Sequence, residues 1–197
     1  MAPVEIAILA LATFLTIAAV QDIKTREIDW KILLTLAPPA AYLLYAHWGD
    51  PLYFFSLALS VLLSIVLRLL GSGYADSIAI ATVGTAPPLS PLLLTPMVVV
   101  VGGSMLLPVT MTWLYLKNRK RPCPMSLLEK LTHICISREE FVKNPLKYIV
   151  GEVKDLEKYN PRNVEIRESW IKAKYGVPYL VYLAAGFWVY VALLLIM

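Results

Sequence analysis

Asp22 and Asp76 are the residues with the clearest potential for chemistry, because each lies where a long apolar segment meets polar sequence. Asp76 follows a turn containing Gly71 and Gly73 and precedes the apolar residues 78–94. An aspartate at the centre of a membrane span opposes insertion by roughly 2.5 to 3.5 kcal/mol, and such residues are usually retained for function. Aspartate is also a favoured helix N-cap, so Asp76 alone is equally consistent with a cap. The second acid, Asp22, at the end of the first apolar segment favours a functional pair.

Two carboxylates that share a site suit general acid–base chemistry. They cannot both ionise easily, so one proton remains between them near the working pH. The ionised member can activate water as a general base, while the protonated member donates to a carbonyl oxygen and later to a leaving amine. Residue types alone leave open which of Asp22 and Asp76 takes each part. This chemistry requires no metal and no cofactor.

The elements that position both aspartates are predicted to be membrane-spanning helices. Of the 197 residues 58% are hydrophobic and 16% are charged, whereas soluble domains are about 25% charged. A span needs about 20 apolar residues. Six segments are candidates: 3–20, 32–47, 52–70, 77–94, 96–116 and 177–197. The fourth is the weakest, because three prolines interrupt it, and its helix is predicted to end near residue 86.

The hydrophilic segment 117–176 divides the chain into a membrane domain (1–116), a cytoplasmic subdomain (117–176) and a final transmembrane helix (177–197). Within the subdomain, an apolar stripe over 126–134 predicts a helix. Ser137 and Glu140 match a capping box at the start of a second helix. Short strands are predicted at 150–153 and 164–166. The fold class is therefore an α-helical polytopic membrane protein with six transmembrane helices and a small mixed α/β subdomain between helices 5 and 6.

Cys123, His133 and Cys135 are three potential zinc ligands in this subdomain. They lack the paired CxxC spacing that is typical of structural zinc sites. Both cysteines are instead expected to be reduced cytoplasmic thiols, and no metal site is predicted.

The distribution of positive charge predicts the orientation of the spans. If the six segments cross in order, every Lys and Arg lies on one side: Lys24, Arg26, Lys31, Arg68 and those of 117–174. Positive residues are retained on the cytoplasmic side, so both termini are expected outside, and both aspartates at the cytoplasmic surface. The same bias accounts for the net charge of +4 without a nucleic-acid partner.

Local spacing makes three further predictions about the two aspartates. If the first helix continues beyond residue 22, Asp22 pairs with Arg26 four residues later and shares a face with Asp29 seven residues later. Small residues within 75–84 predict close packing of the helix after Asp76 against another helix. The expected partner is the first span, which would bring Asp22 and Asp76 together.

Residues 22–28, with Asp22, Lys24 and Arg26, resemble the first aspartate motif of the type IV prepilin peptidases. Residues 73–76 resemble the second motif of that family, the GxGD-type turn, with Ala75 in place of the second glycine. Six spans with a large cytoplasmic insertion before the last resemble the archaeal branch, the preflagellin (archaellin) and prepilin peptidases. Residues 175–180 and 185–187 are similar to the start of the final helix in that branch.

The resemblance implies a membrane aspartic endopeptidase with Asp22 and Asp76 as catalytic residues and Gly71, Gly73, Ala75, Lys24 and Arg26 as supporting motif residues. It implies cleavage of archaellin or type IV pilin-like precursors just before their apolar helix, releasing a short basic leader. Acids near the site, namely Glu27, Asp29 and Glu129, are weaker candidates for binding the leader. No tetracysteine domain or methyl-donor site is present, so N-methylation is not expected.

Two other classes of function remain open from the sequence. Intramembrane carboxylates also serve as proton relays in transporters and channels, which would place acids near the bilayer midplane and on both sides. In a non-catalytic membrane scaffold, Asp76 would only cap a helix, and Asp76→Asn would be tolerated because Asn caps about as well.

Overall fold

The computed structural model describes residues 2–151, 159 and 168–197. In chain order its helices and strands are α1 (Pro3–Thr25), α2 (Trp30–Thr35), α3 (Ala37–Ala46), α4 (Pro51–Leu69), α5 (Tyr74–Val83), α6 (Thr95–Ser104), α7 (Leu107–Asn118), α8 (Leu127–Thr132), β1 (His133–Ser137), α9 (Arg138–Lys143), β2 (Tyr148–Ile149), β3 (Trp170–Tyr175) and α10 (Tyr179–Ile196). The chain forms two compact units. Unit 1 is Met1–Ser104 with Pro178–Met197, and unit 2 is Met105–Val177.

Four helical stretches are long and apolar enough to cross a membrane: Pro3–Thr25, Pro51–Leu69, Thr95–Asn118 and Tyr179–Ile196. The two other predicted spans are shorter than expected. The segment 32–47 divides into α2 and α3, because Pro38 and Pro39 lack the N–H groups that a continuous helix would need there. The segment 77–94 is helical only as far as Val83, and prolines follow in the irregular residues up to Thr95. The predicted end of this helix, near residue 86, is therefore close to its observed end at Val83.

The core of unit 1 is formed where α10 packs against α1 and α6. Its largest buried side chains include Ile8, Leu11, Leu15, Phe187 and Tyr190. Contact between α6 and α10 is close because both carry glycine: a Cβ at Gly186 would clash with the carbonyl oxygen of Val99. Glycine-mediated approach of this kind is typical of helix pairs in membranes.

The main partner of α5 is α4, so the prediction that α5 packs against the first span is wrong. Ser64 Oγ donates a hydrogen bond of 2.7 Å to the carbonyl of Ser77 across the α4–α5 interface. At the end of α5, Gly84 lies so close to Ser60 that any Cβ would overlap it. The small residues of α5 therefore do mediate close packing, but with the helix that precedes them in the chain.

Unit 2 is built on an antiparallel sheet with the strand order β1–β3–β2. Its core contains Leu114 of α7, Ile134 and Ile136 of β1, Phe141 of α9 and Tyr148 of β2. The buried amide of Asn118, at the end of α7, donates to the carbonyls of Lys130 and His133 and accepts from the N–H of Cys135. One side chain thus joins α7, α8 and β1.

Predictions for the subdomain are confirmed in part. The helix predicted over 126–134 is α8, which Ser126 caps in a full capping box with Glu129, but it ends at Thr132 and Ile134 belongs to β1. Ser137 caps α9 by accepting the N–H of Glu140. The strand predicted at 164–166 lies outside the described residues, as do residues 152 and 153 of the strand predicted at 150–153. Val150 and Gly151 follow β2 and are not part of a strand.

Cys123 and Cys135 form a disulfide, so the expectation of reduced thiols is wrong. Their Cα atoms are 5.8 Å apart, because the segment after α7 returns alongside β1. The described residues contain no group of three potential metal ligands. Disulfides are rare in cytosolic proteins, except in those of hyperthermophiles.

Candidate functional site

Asp22 lies in the last turn of α1 and is only 9% exposed. The guanidinium of Arg26 is 3.7 Å from its carboxylate, which confirms the predicted pair. Arg26 is also the C-cap of α1, and its backbone N–H donates to the Asp22 carbonyl at 3.1 Å. Its φ of 61° is the left-handed conformation, and Arg26 is the only described residue other than glycine with positive φ. The end of α1 is therefore folded so that Arg26 turns back onto Asp22.

Because of this helix end, the prediction that Asp22 and Asp29 share one helix face is wrong. Because α1 ends at Thr25, Asp29 does not lie on its face. Asp29 is instead the N-cap of α2, where its carboxylate accepts the N–H of Lys31 at 3.0 Å. Its own N–H binds the side chain of Gln21. Asp29 has a structural role at the α1–α2 turn.

Asp76 is the third residue of α5, after a turn that the two glycines shape. Gly71 has a φ of 89°, which favours glycine, and Gly73 is the N-cap. The Asp76 carboxylate lies beside Gly73, with its Oδ2 atom 3.8 Å from the position that a Cβ of Gly73 would occupy. Ala75 precedes it in the first turn. The N-cap of α5 is therefore Gly73 and not Asp76, and Asp76 lies within the first turn, at the positive end of the helix.

The start of α10 lies beside both aspartates. The carboxylate of Asp22 lies near the backbone N–H of Leu180, and that of Asp76 lies near Tyr179. Both residues lie in the first turn of α10, which begins immediately after Pro178. Neither Tyr179 nor Leu180 was predicted to belong to the site. Pro178 and the resemblance of residues 175–180 to a final-helix start indicate where the helix begins, but neither identifies what the helix contacts.

The structure brings Asp22 and Asp76 close enough for the charge of Asp22 and that of Arg26 to act on the Asp76 carboxylate. Repulsion between the two carboxylates, both removed from water, disfavours the state in which both are ionised. Asp22 Oδ2 is buried and accepts no hydrogen bond from the described residues. Because buried polar atoms are nearly always paired, this oxygen requires an explanation.

The remaining predicted site residues lie outside this cluster. Lys24, Glu27 and Asp29 are exposed. Glu129 belongs to unit 2, where its carboxylate is bound by Lys172 and by the N–H of Ser126. Glu129 therefore forms an ion pair within unit 2.

Two carboxylates whose charges interact can hold one proton between them and polarise water, particularly where one buried oxygen accepts no hydrogen bond from the residues described. Arg26 supplies a compensating positive charge. Comparison of the chain with protein-family models, with curated proteins and with solved structures finds no match. Function is therefore inferred from these residues and their surroundings.

Proposed function

We propose that this chain is a membrane aspartic endopeptidase in which Asp22 and Asp76 form the catalytic pair. The observation that carries the proposal is the proximity of these two acids from different helices, with one buried carboxylate oxygen that accepts no hydrogen bond from the part of the chain that the structure describes. Buried acids that interact with each other are typical of active sites, because burial and like charge separate their protonation steps. A carboxylate that only capped α5 would not require a second acid beside it.

The chemistry follows from one shared proton. The ionised carboxylate removes a proton from water, whose oxygen attacks the peptide carbonyl carbon, while the protonated carboxyl gives its proton to the carbonyl oxygen. As the tetrahedral intermediate collapses, the first carboxyl donates its newly acquired proton to the leaving nitrogen and the C–N bond breaks. The second carboxylate regains a proton from the intermediate's hydroxyl. The pair returns to its starting state, and no metal or cofactor takes part.

The proposed substrates are archaellin or type IV pilin-like precursors, as the resemblance of residues 22–28 and 73–76 to the prepilin peptidase motifs implies. Such a precursor carries a short basic leader ahead of an apolar helix. A site at the end of membrane helices, on the side where the positive-inside bias places the basic residues, would meet that junction. Cleavage there would release the leader and leave the apolar helix in the membrane.

The test is cleavage of a panel of archaellin and pilin-like precursors in membranes containing wild type, Asp22→Asn or Asp76→Asn. Asp50→Asn is the matched control, because Asp50 caps α4 by accepting the N–H groups of Leu52 and Tyr53, and Asn caps about as well. We expect the two site variants to insert normally and to lose cleavage by a factor of roughly 10² to 10⁴, the range for removal of a general acid or base.

Retained cleavage in either site variant would overturn the proposal, as would a wild type that cuts no precursor. In the second case, proton-coupled transport by the same two acids becomes the alternative. Proton flux in vesicles, sensitive to Asp22→Asn and Asp76→Asn, would support it.

A further inference from the structure

Arg26 has a backbone conformation that needs a compensating interaction. Left-handed φ costs a residue with a side chain roughly 1 to 2 kcal/mol, and only Gly, Asn and Asp adopt it routinely. Strained backbone of this kind is concentrated at functional sites. Here the strain ends α1 and places the guanidinium, whose side chain is only 8% exposed, against Asp22.

The charges around the two carboxylates are unequal. Asp22 lies at the negative end of α1 and Asp76 at the positive end of α5, while the first turn of α10 lies beside both, so the helix ends alone favour the negative charge on Asp76. Arg26 reverses this preference, because its full positive charge forms an ion pair with Asp22 at 3.7 Å, and the two side chains are only 8% and 12% exposed. The negative charge of a singly protonated pair is therefore more stable on Asp22.

We propose that Arg26 is the positioning residue that keeps the shared proton on Asp76 and the negative charge on Asp22. This inference rests on the proposed function. It assigns the roles that the sequence left open: Asp22 is the general base that accepts the proton of water, and Asp76 is the acid that donates to the carbonyl oxygen.

Other groups near the pair are few among the described residues. On α10, Tyr179 interacts with Asp76. Lys31, on α2, is exposed, and Arg68, on α4, donates to the carbonyl of Ser72. Arg26 is thus the cation in direct contact with the pair, and its removal should change the balance of charge there more than removal of either of the others.

Two variants separate the effect of the Arg26 charge from the effect of its strained backbone conformation. Arg26→Lys keeps a cation four residues after Asp22 but keeps the strained φ. Arg26→Gly removes the cation and relieves the strain, because glycine adopts positive φ freely. Arg26→Asn, which also tolerates this conformation, replaces the glycine variant if that one fails to insert. Lys31→Gln is the control for loss of an exposed cation nearby.

The measurement is kcat and KM for precursor cleavage across pH. In Arg26→Gly we expect the acidic limb of the kcat profile to move to higher pH by about one pH unit, because Asp22 loses the charge that favours its ionised form. KM should stay within about twofold. Arg26→Lys should keep the wild-type profile, and Lys31→Gln should not differ from wild type. A purely structural role would instead lower activity at every pH without moving the limb.

Two results would overturn the inference while leaving the proposed function intact: an unmoved acidic limb in Arg26→Gly, or a limb that moves as far in Arg26→Lys as in Arg26→Gly. Infrared difference spectra provide a readout that does not depend on cleavage. At neutral pH the absorption of a protonated carboxyl should disappear in Asp76→Asn, and its persistence there would place the proton on another group. A wild type that cuts nothing would remove the proposed function, and with it this assignment.

Discussion

The carboxylates of unit 1 and unit 2 are held in opposite ways. In unit 2, Glu140 accepts from Lys117 and Arg121 at 2.9 Å each and from the hydroxyl of Tyr148 at 3.2 Å. In unit 1, Asp22 has one cation at 3.7 Å and a buried oxygen without a hydrogen bond from the described residues.

This difference distinguishes two uses of an acid. Glu140 is saturated with donors and stabilises unit 2 by joining α7, α9 and β2. Although partial burial opposes ionisation of Glu140, its hydrogen bonds to Lys117 and Arg121 outweigh this and lower its pKa. Among the described residues, Asp22 has fewer hydrogen-bond donors than it can accept, which costs stability; under the proposed function, this leaves capacity for water or substrate. Neutralising Asp76 should therefore lower cleavage without lowering stability. Neutralising Glu140 should lower the stability of unit 2 without lowering cleavage by the folded fraction.

The largest expected effect is on Asp76→Asn. Cleavage should fall by roughly 10² to 10⁴, while the melting temperature in detergent should stay the same or rise. The substitution removes a buried acid that must hold a proton to avoid a second negative charge beside Asp22, and a neutral Asn of similar size can occupy its place beside Gly73. Thermal unfolding and cleavage of the same preparation would measure both. A clear fall in melting temperature would show that Asp76 is structural.

Removal of the disulfide should be the next largest effect and should be confined to unit 2. Cys123→Ser with Cys135→Ser releases a loop closed over 12 residues, and such a cross-link contributes about 3 kcal/mol in the chain-entropy description. Hydrogen exchange of peptides from β1 should accelerate, and exchange in α1 should not change. Equal protection of β1 in the double variant would contradict the disulfide as a stabilising element.

Glu140→Gln should lower the stability of unit 2 by about 1 to 2 kcal/mol, because two charged hydrogen bonds are weakened at a partly exposed site. Cleavage by the folded fraction should be retained. Exchange rates in α9 and cleavage rates of the same variant give the comparison with Asp76→Asn. Lost cleavage at full stability would place Glu140 in the function and remove the contrast between the units.

The smallest effect concerns pH and Glu129. Hydrogen bonds from Lys172 and from Ser126 lower the pKa of Glu129 to about 2 from the ordinary 4.5. A depressed pKa adds stability that is fully present above about pH 4.5 and is lost as the pH falls towards 2. Glu129→Gln should therefore differ slightly from wild type above that window and not at its lower end. A difference that persists near pH 2 would require another origin.

Local features of unit 1 were predictable from the sequence because they depend on residues close together in the chain. The pairing of Asp22 with Arg26 follows from helical spacing, and the short fourth apolar helix follows from its prolines. The glycines of the turn before Asp76 indicated a non-helical break, and Gly71 supplies its positive φ. In each case a neighbour within a few residues determines the geometry.

Long-range features were not predictable in the same way. The prediction that α5 packs against α1 used small residues, which indicate close packing but do not identify a partner; that partner is α4. The contribution of α10 to the site depends on the backbone of Leu180, more than 150 residues from Asp22, and backbone groups have no sequence signature. The pairing of Cys123 with Cys135 likewise depends on how β1 returns to the end of α7.

The most direct test of the central claim is a double-mutant cycle on the initial rate of leader release, followed by mass spectrometry. Residues that act as one catalytic unit are strongly non-additive. If Asp22 and Asp76 share one proton in one reaction, the double variant that carries both Asp22→Asn and Asp76→Asn should cleave no more slowly than either single variant. A double variant whose loss equals the product of the two single losses, or a single variant that cleaves at the wild-type rate, would contradict the account.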